Sequence, residues 1–501
     1  VNARLFGRSV LGTAAAVSVL LLSADLVYGQ AASTGTSPLQ IEVREATLGQ
    51  LRDGVKWESV SIGPGGRRIC YVTGKGAGFG WTMLQSLGVG KTGSVRMVVD
   101  GVESPEYVAV TPALFSPDGA RVAYGAQKGT RMTDAVGRPL GRQQRFIVLD
   151  GKEGQPFDEV DAPVFSADGR RFAYKGRRDK AWVAVLDGTE GRPFDAVGDL
   201  VFSPDGRRLA YGAKRAGKVV IVLDGIEGPP HDGTSRPVFS PDGARVAYVA
   251  HDGETSHLVD GETATPIPHK GTGIVRSSDG TRLAFMVEKA KKKKWSVVID
   301  GSEGTEYDEV GRPVFGPDGK RCAYQAKRGK GRFLVVDRSE GPAYDDVGPP
   351  VFSPDGRRYA HYAKRGKMWL VVVDGTESDV HERVGQPVFS PDSRSVAFLV
   401  RDGKEERVVN DGTAGAAFGA IGALSWSPDG RHLAYEASSH GSWRLVVDET
   451  IGSEYGRLGD LPEHEVRQFF HGWTFDGPDS LHYVGRRADA IVRWDVVLKS
   501  P

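Results

Sequence analysis

Val201-Phe-Ser-Pro-Asp-Gly-Arg-Arg-Leu-Ala-Tyr211 opens a stretch that continues to Asp224-Gly-Ile-Glu227. Val201-Phe-Ser203 reads as a short strand. Pro204-Asp-Gly206 then makes a tight turn: proline presets φ, aspartate bonds the local backbone, and glycine takes the left-handed position. Arg207 to Tyr211 reads as a second strand. Lys214-Arg-Ala-Gly-Lys218 is a polar hairpin loop, and Val219-Val-Ile-Val-Leu-Asp224 a third strand. After a Gly-rich turn a short fourth strand is expected, of the type Pro193-Phe-Asp-Ala-Val197.

The stretch is one copy of many. The motif recurs at Leu114–Gly119, Val164–Gly169, Val238–Gly243, Val314–Gly319, Val351–Gly356, Val388–Ser393 and Ser425–Gly430, with a worn copy at Val275–Gly280. Ser61–Gly66 and Phe475–Ser480 read as degenerate copies at either end, which makes eleven. Asp168, Asp205 and Asp242 are 37 residues apart, and so are Asp318, Asp355, Asp392 and Asp429. Four antiparallel strands in about 37 residues, repeated many times, predict an all-β chain built from β-propeller blades.

The second strand carries a large-small-large triplet, as in Leu209-Ala-Tyr211, Phe172-Ala-Tyr174 and Val396-Ala-Phe398. Alternate side chains point to opposite faces of a sheet. Both faces of a blade must therefore be apolar, one shaped by alanine and the other by bulky residues. Cys70 and Cys322 fall inside these triplets in different repeats and read as buried small hydrophobes. With only two cysteines, a disulfide framework and a Cys-based zinc site are excluded.

The recurring Phe-Ser-Pro-Asp-Gly-(Arg/Lys)-Arg-x-Ala-Tyr resembles the WD40-like Pro-Asp repeat of TolB-type bacterial propellers, over roughly residues 50 to 498. The resemblance implies the fold. It leaves function open, because such propellers serve as binding platforms, as enzyme lids and as enzymes.

Propellers usually have four to eight blades. Eleven repeats allow two tandem rings, of five and six, or one large ring. The even spacing shows no linker; a split, if present, is expected near 270–300, where the Lys289–Lys294 run stretches the spacing to 39 residues. We lean toward two rings, because an interblade angle suited to six blades does not close at eleven. Upstream, Arg4 and Arg8 precede an apolar run from Val10 to Leu22, followed by small residues. This is the layout of a secretory signal peptide over 1–31, cleaved after Gly29 or Ala31. Residues 32–49 read as a linker and a strand that could close the fold, and 50–501 as the repeats. The expected location is the bacterial periplasm or the cell exterior.

Lys and Arg number 65 and Asp and Glu 64. That balance argues against a nucleic-acid binder. Gly is 67 of 501, about twice a usual share of roughly 7%, which suits a turn-rich chain. The repeated carboxylates are turn devices first. Glycine directly after the turn aspartate rules out the Asp box of sialidase-like propellers, and the ligand ladder of an EF-hand is absent. His251, His257 and His269 lack known zinc spacing, and His464 and His471 fall in an insertion. Gly88–Gly93 spells a phosphate-loop fragment without the strand and helix it needs. No Gly-x-Ser-x-Gly elbow occurs. No catalytic residue, cofactor or metal is assigned.

One pattern points to a surface. The loop between second and third strands is basic in many repeats: Lys214 and Arg215; Lys291, Lys292, Lys293 and Lys294; Lys327 and Arg328; Lys364 and Arg365. The turn after the third strand is acidic, as at Asp224 and Glu227 or Asp374 and Glu377. These turns lie at opposite ends of the strands, so charge is expected to segregate. The basic loops are the candidate binding residues, and the expected function is a non-catalytic scaffold for a protein or an anionic envelope polymer. The alternative is a hydrolase-like propeller enzyme with its site at the channel mouth. Glu58, Arg276 and Asp476 are the odd polar residues near first strands that would hint at it.

Overall fold

A computed structural model describes residues 40–50, 55–75, 94–129, 143–267, 269–289, 294–439, 442–455, 473–487 and 490–499. The signal-peptide region, most of the linker and Lys291, Lys292 and Lys293 lie outside these residues. Among the described residues the strands form eleven antiparallel sheets. We number them by residues: sheet 1 (55–103), sheet 2 (109–153), sheet 3 (159–190), sheet 4 (196–227), sheet 5 (233–267), sheet 6 (270–303), sheet 7 (309–340), sheet 8 (346–377), sheet 9 (383–414), sheet 10 (420–455) and sheet 11 (474–499).

Sheet 4 shows how the repeat becomes structure. Its first strand is split into Ala196–Val197 and Val201–Phe202, both paired with Leu209–Arg215. Lys218–Leu223 pairs next, then Ile226–Glu227. Both hairpins turn on two residues with positive φ, Ala216-Gly217 and Asp224-Gly225, the turn whose twist matches that of the flanking strands.

Leu209, Ala210 and Tyr211 are all buried. Leu209 and Tyr211 pack toward sheet 3, against Ala173, Trp182 and Phe194. Ala210 faces the other way, with Ile221 and Leu223, against Phe239 and Val246 of sheet 5. Every apolar cluster likewise joins two consecutive sheets, for example sheets 1 and 2 around Met97 and Tyr124. Sheets 5 and 6 join around Val249 and Phe285, and sheets 6 and 7 around Tyr307 and Cys322. Sheet 11 packs on sheet 10 through Leu481 and Val496 and on sheet 1 through Val484 and Tyr71. Its fourth strand comes from far upstream: Gln40–Gln50 pairs with Ala490–Lys499 from Gln40↔Lys499 to Gln50↔Ala490.

Cys70 and Cys322 are free and buried in sheets 1 and 7, and burial pushes each thiol up to about 12. Among the described residues no helix is long and apolar enough to cross a membrane.

Candidate binding face

The Pro-Asp-Gly turns sit at one end of the second strand. Ser203 Oγ donates to Asp205 Oδ1 at 2.5 Å, and the same oxygen accepts the Arg207 N–H at 3.1 Å. These bonds hold the Asp205 carboxyl below the usual range. The pattern repeats at Asp118, Asp168, Asp242, Asp355 and Asp392. Successive turns stack: a Cβ at Gly206 would approach Asp168 Oδ1 to 2.9 Å. The turn aspartates are thus occupied in holding the backbone.

The arginine two residues after the glycine links neighbouring sheets. Arg208 Nε donates to Asp224 Oδ2 at 2.8 Å, and its NH1 donates to the Ala244 carbonyl of sheet 5 at 2.8 Å. Asp224 Oδ1 in turn accepts the Leu209 N–H at 2.9 Å. Arg68, Arg121, Arg171, Arg282, Arg321 and Arg358 do the same across six other interfaces. Half of the acidic set is therefore bound at its own end, each aspartate to one of these arginines.

At the other end, the hairpin tip, lies a second repeated device. Phe194 sits where the chain crosses from sheet 3 into sheet 4, bridged to Trp182. The Arg215 guanidinium covers its ring at 4.5 Å and binds Glu227 at 3.0 and 2.9 Å. Arg178 with Phe157 and Glu190, Arg328 with Tyr307 and Glu340, and Arg365 with Tyr344 and Glu377 repeat it. Two sheets replace the whole set. His231 meets Asp252 and His381 meets Asp402, both at 2.7 Å. In the registers that hold glutamate elsewhere stand Ala264 and Ala414. Each histidine lowers its partner's carboxyl range. This exchange of aromatic, arginine and glutamate for histidine, aspartate and alanine is readable from the aligned repeats, yet only the geometry identifies the three positions as one contact.

Among the described residues, the basic loops do not form the segregated face that the sequence predicts. Arg215, Arg328 and Arg365 are paired with glutamates, because a long side chain on each partner spans the strand between them. Lys294 binds Asp308 at 2.5 Å and Lys327 binds Glu309 at 2.7 Å. Those acids lie on the crossover, at the same end as the loops. Lys364 lies over the Trp369 ring at 5.1 Å. Among the described residues, Lys214, Lys180, Lys330 and Lys367 are exposed with no ion pair. A cleft of about 400 Å³ opens between the tips of sheets 3 and 4, lined by Arg178, Asp179, Lys180, Phe194, Asp195 and Arg215. The opposite end carries exposed arginines of its own at Arg170, Arg207, Arg357 and Arg394.

Of the odd polar residues, the side chain of Glu58 lies outside the described residues, and Arg276 and Asp476 do not converge. Arg276 is buried and bound to Asp260 of the preceding sheet, where other sheets set leucine against phenylalanine. Asp476 binds His482 and Arg493 in sheet 11. Two buried groups escaped the sequence reading. His361 takes the tyrosine place of the triplet, has no hydrogen-bond partner at either ring nitrogen, and is pushed down to about 4 by burial. Glu436 is part-exposed as a residue, but its Oε1 is enclosed and unpartnered, and burial pushes its carboxyl up to about 7. The repeat alignment marks His361 as an outlier, but burial cannot be read from it. His251 bonds Ser256 in the sheet 5 hairpin. Among the described residues no group of three or more histidine, cysteine or acidic side chains is placed to hold a metal.

Eleven meandering four-stranded sheets, each packed face to face on the next, decide the architecture. The chain is a β-propeller. No family model matches it, and no curated protein matches it. Solved propellers are similar to it. TolB from Acinetobacter baumannii shares 15% identity over 62% of this chain and 82% of its own, with a TM-score of 0.26. The propeller domain of the trilobed protease from Pyrococcus furiosus shares 15% over 59% and 91%, with a TM-score of 0.28. The Dos1 propeller shares 10% over 67% and 91%, at 0.31.

Proposed function

We propose that this propeller is an exported, non-catalytic binding scaffold, and that it meets its partner with the hairpin-tip end of the sheets. The observation that carries the reading is the cleft between the tips of sheets 3 and 4. Glu190 and Glu227 hold Arg178 and Arg215 in place there, while Lys180 and neighbouring Lys214 keep their charges unpaired. Fixed arginines beside aspartates and a phenylalanine make a pre-shaped, mixed-charge surface. Such a surface suits a protein partner better than an anionic envelope polymer, which would favour unpaired cations throughout.

The enzymatic alternative has less support. The carboxylates that recur from sheet to sheet hold turns and arginines, and Arg276 and Asp476 are bound in two separate interfaces. Periplasmic or extracellular placement rests on the Arg4-to-Ala31 signal layout.

Salt dependence on immobilised heparin separates the two partner classes. Polyanion binding through several lysines weakens steeply with salt. A polymer partner predicts late elution that is lost on changing Lys180, Lys214, Lys330 and Lys367 to Ser. Early elution of both proteins leaves a protein partner, and late elution unchanged by the substitutions contradicts the tip surface.

A further inference from the structure

We infer that the propeller closes on itself once, after eleven sheets, and that an ionic face on sheet 11 selects sheet 1 as the place of closure. In sheet 4 the residues turned toward the next sheet are Ala210, Leu223 and Ile221, with Ala210 paired to Leu223. The same registers hold Ala123, Leu149 and Ile147 in sheet 2, and Ala434, Val447 and Leu445 in sheet 10. In sheet 11 they hold His482, Asp495 and Arg493, with His482 paired to Asp495 and Arg493 to Val484. On the first strand Phe475 keeps the register of Phe202, and Asp476, in the irregularity that follows it, meets these side chains.

These four groups form one network, buried at His482 and Arg493 and open to solvent at Asp476 and Asp495. His482 Nδ1 lies 2.9 Å from Asp476, Arg493 NH2 donates to Asp476 at 2.8 Å, and Arg493 Nε donates to Asp495 at 2.6 Å. The side chains of His482 and Arg493 are only 6% and 9% exposed. Arg493 NH1 reaches across to the Gly65 carbonyl of sheet 1. A Cβ at Gly66 would collide with His482 Nε2. Sheet 1 is also the copy whose turn reads Pro64-Gly-Gly66, without the aspartate that every other copy keeps.

A repeat array needs such a device. Blade-to-blade contacts are heterologous, so near-identical faces fit one another at any place and do not say where to stop. An apolar face on the last sheet would match the inward face of any sheet, in the same chain or another. An ionic network at an interface adds little net stability over apolar packing, and its best-attested use is to specify register or partner. Sheet 11 carries that network where sheet 10 carries Ala434, Val447 and Leu445 and sheet 4 carries Ala210, Leu223 and Ile221.

The test restores the common face with His482→Ala, Arg493→Ile and Asp495→Leu, and removes the remaining carboxylate with Asp476→Ser. After unfolding in urea and dilution, the wild type should return as monomer by light scattering. The fourfold variant should return with oligomers that grow with protein concentration. If that variant does not refold, Asp476→Asn alone should show the same growth of oligomers in smaller proportion. Monomer recovery equal to wild type from whichever variant refolds would overturn the inference, as would oligomers from the wild type itself.

Discussion

Arg208 in sheet 4 donates to the carbonyl of Ala244 in sheet 5 at 2.8 Å while its Nε is held by Asp224. One side chain thus fixes a turn in its own sheet and the seam to the next. The side chain is 32% exposed and Asp224 38%, so solvent screens part of the attraction. Arg208→Leu should cost about 1–2 kcal/mol, the scale of a charge-assisted hydrogen bond after screening. An unchanged urea midpoint would show that the seam holds without it.

Ala210 tests the packing between blades. It has no exposed surface and faces sheet 5. Ala210→Leu should destabilise by about 1–3 kcal/mol through overpacking, read as a lower urea midpoint at constant slope. No shift in midpoint would mean that sheets 4 and 5 are not tightly interdigitated there.

The aromatic–arginine–glutamate set and its histidine–aspartate–alanine counterpart should be exchangeable only as wholes. Asp402→Arg alone places a guanidinium beside His381 with alanine where its glutamate should stand, and is expected to cost about 1 kcal/mol. Adding His381→Tyr and Ala414→Glu should recover that loss. Additive costs in the thermal melts would show that the three positions act independently.

Two buried groups oppose each other in their response to pH. His361 stays neutral in the folded chain down to about 4, against an ordinary 6.5. The unfolded chain takes up that proton first, so stability falls as pH drops from about 6.5 to 4, by about 3 kcal/mol. Glu436 keeps its proton up to about 7, against an ordinary 4.5. The folded chain holds that proton longer, so stability falls as pH rises from 4.5 to 7, by roughly 2–3 kcal/mol. The slopes nearly cancel between 4.5 and 6.5. His361→Tyr, the residue of the neighbouring triplets, should unmask a fall with rising pH. Glu436→Gln should unmask a fall with falling pH. Parallel urea midpoints of both variants and wild type across that range would refute the two assignments.

Much of the fold is legible in the repeat. Pro-Asp-Gly places the turns, Leu-Ala-Tyr places both sheet faces, and the spacing counts the sheets. The charges are less legible. Arg215 and Glu227 stand at opposite ends of their strands in sequence, which predicts separation. A two-residue fourth strand and two long side chains bring them together. The basic residues of the loops therefore describe composition, while the surface is set by those left over, such as Lys180 and Lys214. His482 was hidden for another reason: its repeat is worn, and only the strand register shows that it stands in an alanine's place.

In the proposed function the hairpin tips meet the partner. A photo-reactive side chain substituted for Lys214, at a tip, and in a second protein for Arg207, at the opposite end of the same strand, reads this directly. Each protein is produced in the cell that makes it, irradiated, and resolved by denaturing electrophoresis. One discrete cross-linked species is expected from position 214 and none from position 207. Cross-linking from 207 alone, or from neither position, would contradict the proposed function.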